Sequence, residues 1–264
     1  MTQLHGMMTV ARMRTTSASG SREAADARPG EEMRRPVRVS IIICTYNRAE
    51  SLSRTLDALS AVQVPATLRA EVIVVDNGST DATPAIVRSC RMLDGAAPHY
   101  ISEPRRGQCF ARNRGLAQAG GDVIIFIDDD VRPTPGWLAA LCRPLVEGRA
   151  DAVVGAMELG PELERPWMKA FHRVWLTSTE HLRADEPPPN MVGANMAFAR
   201  RVLARVPQFD TDLGPGALGY HDDVLFSRQL AEAGFRIAFV PDALARHHFE
   251  PARTTRAGLI DMAE

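Results

Sequence analysis

An excess of one charge sign is missing: 31 Lys and Arg face 32 Asp and Glu, for a net charge of −1. That balance gives no support to a nucleic-acid groove or a polybasic membrane patch. Cys44, Cys90, Cys109 and Cys142 form no CxxC pair and have no metal-ligand spacing, so they read as buried or incidental thiols in a reducing compartment. No apolar run reaches the ~18 residues that a membrane-spanning helix requires. The amino-terminal arginines are followed by no apolar h-region, which argues against a secretory signal. No internal repeat of about 20–50 residues stands out. These absences lead to the expectation of a cytoplasmic protein, with peripheral contact at the inner face of a membrane still compatible.

What is present is an ordinary globular composition, 45% hydrophobic and 24% charged over 264 residues, with ample material for a core. Residues 1–35 carry no hydrophobic period and read as a disordered extension. Residues 36–264 read as a single α/β domain. The most informative stretch is Gly121–Pro133, in which five apolar residues, Val123 to Ile127, run into Asp128, Asp129 and Asp130. A continuous apolar run suits a strand buried on both faces of a parallel sheet, and its carboxyl end is where such sheets bind ligands. Three adjacent carboxylates repel one another unless a cation joins them, and Mg²⁺ or Mn²⁺ with a substrate phosphate fits that need. An acidic turn that caps the next helix is the plainer alternative.

In chain order, Val37–Thr45 is a first buried strand, broken at Tyr46-Asn47-Arg48. Ser51 is expected to cap a helix carrying Leu52, Leu56 and Leu59. Glu71–Val75 is a second strand that ends in Asp76-Asn77-Gly78-Ser79, and a helix through Ile86, Val87 and Met92 follows. His99–Ile101 is a short strand, Gly107–Ala119 a helix. Asp151–Met157, Val192–Phe198 and Arg236–Val240 are further strands, with a helix over 222–233. The alternation predicts right-handed crossovers and a mostly parallel sheet flanked by helices. Residues 160–189 are irregular and form the expected substrate-covering segment. Ala257–Glu264 reads as the start of another helix, as in a domain that is short or cut short.

Three loops therefore sit on one rim: Thr45-Tyr46-Asn47-Arg48, Asp76-Asn77-Gly78-Ser79 and Asp128-Asp129-Asp130. Tyr46 can pack on a base, and Asp76 can accept hydrogen bonds from a base N–H or a ribose hydroxyl. A lone Asp-Asn-Gly-Ser is more often just a turn, so the specificity lies in the conjunction. From about residue 37 to 253 the chain resembles the family 2 glycosyltransferases of the GT-A fold, a Rossmann-like three-layer sandwich. The matching segments are Val39–Arg48, Val74–Asp81, Gly107–Gly115, Gly121–Asp130, Gly193–Phe198 and Asp222–Arg228.

The resemblance implies that Tyr46, Asn47 and Asp76, with Thr45, Arg48 and Asn77 beside them, hold the nucleotide. Arg112 and Asn113 would line the donor side. Asp128 and Asp130 would form the DxD pair, with Asp130 on the metal, Asp128 nearer the ribose or diphosphate and Asp129 in the variable middle position. His247 matches a late histidine near the metal, with His248 beside it as the rival. Where the family usually has Glu-Asp, this chain has Asp222-Asp223. Asp223 is the candidate base and Asp222 its neighbour, although acids at a helix start also suit the macrodipole.

The implied activity is sugar transfer from a nucleotide-diphospho-sugar, UDP being the commonest donor, to an acceptor hydroxyl. Such transfer needs stabilisation of the leaving diphosphate, a base and an aligned acceptor. One base and no second nucleophile point to a single displacement with inversion. A nucleotidyltransferase would require a Gly-rich loop after the first strand, and Thr45-Tyr46-Asn47-Arg48 has no glycine. A non-catalytic nucleotide-sugar binder would be expected to lack the acids that this chain retains. Arg105 and Arg106 are further candidates for a diphosphate contact, Trp137 for packing, and Trp167 and Trp175 for packing or for walling the acceptor cleft.

Overall fold

The computed structural model of the chain describes residues 35–92, 96–188, 190–255 and 258. The expected disordered extension over 1–35 and the helix over 257–264 lie almost wholly outside the described residues. Eight strands make one sheet: β1 (Val37–Thr45), β2 (Leu68–Asp76), β3 (His99–Ser102), β4 (Val123–Ile127), β5 (Val131–Pro133), β6 (Ala152–Leu159), β7 (Asn195–Ala199) and β8 (Ile237–His247). The helices are α1 (Ala49–Ser60), α2 (Thr83–Ser89), α3 (Gln108–Gln118), α4 (Trp137–Val146), α5 (Ala170–Trp175) and α6 (Asp222–Glu232). Strand order across the sheet is β3-β2-β1-β4-β7-β6-β8-β5.

Burial on both faces explains why β1 and β4 read as unbroken apolar runs. Ile41 and Ile43 point into a core shared with Leu52, Leu56 and Leu59 of α1 and with Trp137 and Leu141 of α4. Ile42, between them, points to the opposite core, with Leu116 of α3 and Phe226 and Leu230 of α6. The result is three layers, helix on sheet on helix. Each fully buried aliphatic side chain contributes about 1.5–3 kcal/mol. Gly115 sits inside α3 at a cost of about 1 kcal/mol relative to alanine. There the helix approaches β1 so closely that a Cβ would meet Ile42 Cγ2 at 2.5 Å.

The sheet is mixed. β1–β2, β1–β4, β2–β3 and β6–β8 pair in parallel, whereas β4–β7, β6–β7 and β5–β8 are antiparallel. Pro133 does not act as a strand breaker after the aspartates. Instead Val131–Pro133 forms an edge strand against β8, a place where a proline removes no needed donor. β8 runs on past Val240 through Pro241 to His247, with a register shift opposite Gly155–Met157. That extension carries His247 back to the aspartates.

Two local expectations also change. Ser51 is not the cap of α1, which begins at Ala49 and whose Ala49 N–H is taken by Asp81 Oδ2 at 2.9 Å. The Ser51 and Thr55 hydroxyls instead both donate to the Asp129 carbonyl, at 3.0 and 2.8 Å. α2 stops at Ser89, and Met92 lies beyond it in a bridge with Ala96.

Candidate active site

The carboxyl ends of β1 and β4, the amino end of α6 and the 174–194 segment enclose a cavity of about 760 Å³. Its wall includes Thr45, Tyr46, Arg48, Asn77, Arg112, Asp128, Asp129, Asp130, Asp222, Asp223 and His247. The aspartates are unequal. Asp129 is bound on both oxygens, by the Thr45 hydroxyl at 2.7 Å and by Arg48 at 2.8 Å. Burial and the adjacent carboxylates nevertheless push it up to about 7. Arg48 also contacts Asp130 Oδ2 at 2.9 Å.

Asp130 Oδ1 is buried and lies 3.1 Å from His247 Nε2, and apart from that imidazole no hydrogen-bond donor reaches it. Burial opposes the Asp130 anion, but His247 and Arg48 hold its carboxyl below the usual range. For His247, burial opposes the cation, and Asp130 outweighs it and raises the imidazole. The Leu176 carbonyl faces His247 Nδ1 at 3.4 Å, which turns Nε2 toward the acid. Thr177, next in the chain and also on the cavity wall, holds φ +77°, a strained value for a β-branched residue.

Arg112 joins the two acidic groups. Its guanidinium, nearly fully buried, pairs with Asp222 Oδ2 and lies 3.9 Å from Asp128 Oδ1. Phe209 and Phe126 flank it at 5.3 and 5.8 Å. Gly193 is glycine because a Cβ there would collide with that guanidinium. Its N–H donates to Asp223 Oδ2 at 2.7 Å. Asp222 is thus buried and paired, whereas Asp223 is half-buried and held at one side of the cavity.

The structure does not bring every candidate to the cavity wall. Asp76 is buried behind it, accepting from the Ser79 N–H at 2.8 Å and the Tyr100 hydroxyl at 2.7 Å. Asn47 lies in the left-handed region (φ 52°), with its N–H bound by the Ser79 hydroxyl and its Oδ1 accepting from the Thr80 N–H. Asn113 turns away from the donor side and exchanges two 2.8 Å hydrogen bonds with the Phe209 backbone. Asn77 touches the cavity while tying the 103–107 loop through the Glu103 carbonyl and the Gly107 N–H. The His248 ring is engaged by Glu162 at 2.6 Å and Arg132 at 3.1 Å, and only its backbone N–H reaches the trio, donating to the Asp130 carbonyl at 2.7 Å. Arg105 pairs with Glu103, while Arg106 lies over the Tyr46 ring at 3.4 Å. Trp137 is buried and donates to Asn195 Oδ1 at 2.8 Å. Trp175 is on the cavity wall and Trp167 is not. Leu176 and Tyr220 had no individual signal in the sequence, because each acts through its backbone or its place on a loop, and Gly193 stood out only as the start of a matching segment.

Among the described residues no group of three or more His, Cys, Asp or Glu side chains is set to hold a metal ion. Asp130 Oδ1 and His247 Nε2 lie 3.1 Å apart, with Asp128 on the same cavity wall, so oxygen and imidazole donors of the type a divalent cation takes are present in the cavity. Among the described residues no helix is long and apolar enough to cross a membrane.

The mixed sheet with flanking helices and acids at one rim has the GT-A fold of glycosyltransferases, the fold of the solved structures it is similar to. The family model described as glycosyl transferase family 2 matches residues 40–206, and the chain belongs to that family. The succinoglycan biosynthesis protein ExoM of Rhizobium meliloti is 32% identical over 230 residues, covering 86% of this chain and 71% of that protein. Glycosyltransferase AglE of Haloferax volcanii is 28% identical, over 81% of this chain and 67% of its own length. Among solved structures, a mannosyltransferase from Pyrobaculum calidifontis in complex with GDP-Man and Mn²⁺ is 28% identical with a TM-score of 0.63. That match covers 81% of this chain and 58% of that one, so the chain spans less than two thirds of that structure.

Proposed function

We propose that this chain moves a sugar from a nucleotide-diphospho-sugar, UDP-linked as first choice, to an acceptor hydroxyl by single displacement with inversion, assisted by Mn²⁺ or Mg²⁺. The carrying observation is that the Asp128–Asp130 trio and Asp223 face one 760 Å³ cavity from different elements, with Arg112 between them. The Mn²⁺ in the Pyrobaculum mannosyltransferase complex supports the same reading.

Asp128, Asp130 and His247 would hold the cation, which when bound neutralises charge growing on a leaving diphosphate. Asp129, already bound by Thr45 and Arg48, keeps the trio rigid. Tyr46 offers a ring face to the base, and Arg106 above it is within reach of phosphate charge. Asp76, Asn77 and Asn47 shape the loops that carry these two side chains. Asp222, paired with Arg112, orients the start of α6. Asp223 accepts a single long-range backbone N–H, from Gly193, and takes the proton of the attacking hydroxyl.

The test is Asp223→Asn. It should bind donor with unchanged affinity by calorimetry and transfer sugar about 10²–10⁴-fold more slowly. Wild-type turnover would move the base elsewhere. Pyrophosphate release from nucleoside triphosphates by the unaltered chain would favour a nucleotidyltransferase, and UDP binding without turnover on any donor a non-catalytic binder.

A further inference from the structure

The exposed apolar side chains are not scattered. Among the described residues, Trp167, Phe171, Trp175, Leu218, Tyr220 and Tyr46 are large and exposed, with Val146 on α4 as the remaining case. Tyr46, Trp175 and Tyr220 line the catalytic cavity. Phe171 lies one helical turn before Trp175 on α5, and Trp167 and Phe171 both contact the His172 ring, at 5.0 and 3.7 Å between centroids. Leu218, 86% exposed, lies two residues before Tyr220. Two lips of the cavity mouth therefore carry apolar groups that the fold itself leaves uncovered. Exposed large apolar side chains gathered around one cavity mark a binding site.

The charge around the mouth narrows the occupant. Residues 160–190 hold five acidic and four basic side chains, and residues 207–221 hold two acidic and no Lys or Arg. An anionic polymer or an anionic lipid surface would need an excess of bases there. Trp167, Phe171, Trp175 and Tyr220 offer ring faces on which a sugar can also stack, whereas Leu218, the most exposed of the set, offers an aliphatic chain that suits an apolar group. Val174, Met191 and Val192 add apolar groups to the cavity wall.

We propose that the lips formed by Trp167, Phe171 and Trp175 and by Leu218 and Tyr220 receive an uncharged apolar group attached next to the reacting hydroxyl, so that the acceptor is an amphiphile. This rests on the transferase reading of the cavity. The polar head reaches Asp223, and the apolar group stays at the mouth and loses its contact with water.

The experiment is calorimetry on the full chain with n-octyl β-D-glucoside below its micelle concentration, methyl β-D-glucoside and maltoheptaose, and separately with UDP or GDP plus Mn²⁺. The octyl glucoside is expected to bind at least about tenfold more tightly than the methyl glucoside. The double variant Phe171→Ser, Leu218→Ser should bring that ratio near one with UDP binding unchanged. Equal affinity for the two glucosides, with UDP bound normally, overturns the proposal and leaves the transferase reading intact. Tighter binding of maltoheptaose overturns it in favour of a glycan. Retention on phosphatidylcholine vesicles without any preference between the monomeric glucosides overturns it in favour of a membrane surface. Failure of UDP and of GDP alike to bind, each with Mn²⁺, overturns the transferase reading and this inference with it.

Discussion

Arg112 and Asp222, 110 residues apart in the chain, form a buried ion pair at the centre of the site. The pair links α3 to the start of α6. Removal of one partner leaves the other charged and desolvated, which is far more costly than the net worth of the pair. Asp222→Ala is therefore expected to lower unfolding stability by about 3–5 kcal/mol. Urea denaturation measures this, and a midpoint equal to the unaltered protein would refute it.

Asp130→Ala should abolish the metal dependence of nucleotide binding, because it removes the buried oxygen that faces His247 and has no other donor. Titration of UDP with and without Mn²⁺ reads this directly. An undiminished effect of Mn²⁺ in the variant would exclude Asp130 as a ligand.

Gly193→Ala places a methyl group against the Arg112 guanidinium. Overpacking at such a contact costs about 1–3 kcal/mol. Since the Gly193 N–H also holds Asp223, transfer should fall more than donor affinity does. A fall in affinity with kcat unchanged would contradict that link.

Asp151 gives the fold an acid-sensitive contact. Burial works against its anion, but the Arg236 N–H at 2.9 Å and Arg201 at 2.7 Å hold its carboxyl below the usual carboxylate range. A depressed folded pKa contributes stability that is present above the unfolded value, near ~3.9, and lost as pH falls through the lower folded value. Asp151→Asn should flatten the acid limb of the stability–pH curve. Denaturant midpoints between about pH 5 and pH 2 test it, and parallel curves would remove Asp151 from the account.

How much of this was legible depended on whether the signal was local. Val39–Ile43, Val72–Val75 and Val123–Ile127 read as buried strands because burial on both faces demands continuous apolar runs. The short edge strand Val131–Pro133 and the second half of β8 carry no such run. They exist because each pairs with a distant partner. Ser51 looked like a cap by spacing alone, but Asp81, 32 residues away from Ala49, supplies that acceptor.

The chain by itself determined the α/β class, the aspartates at a strand end and the family resemblance, since these rest on composition and contiguous motifs. Only the tertiary structure decided which acids are bound and which are available: Asp129 held by Thr45 and Arg48, Asp222 by Arg112, and Asp76 by Tyr100. It also decided that Asn113 clamps Phe209 rather than facing the donor side. The physical reason is that a carboxylate's role follows from burial and hydrogen-bond partners, and those partners come from segments 24 to 110 residues distant, beyond any local pattern.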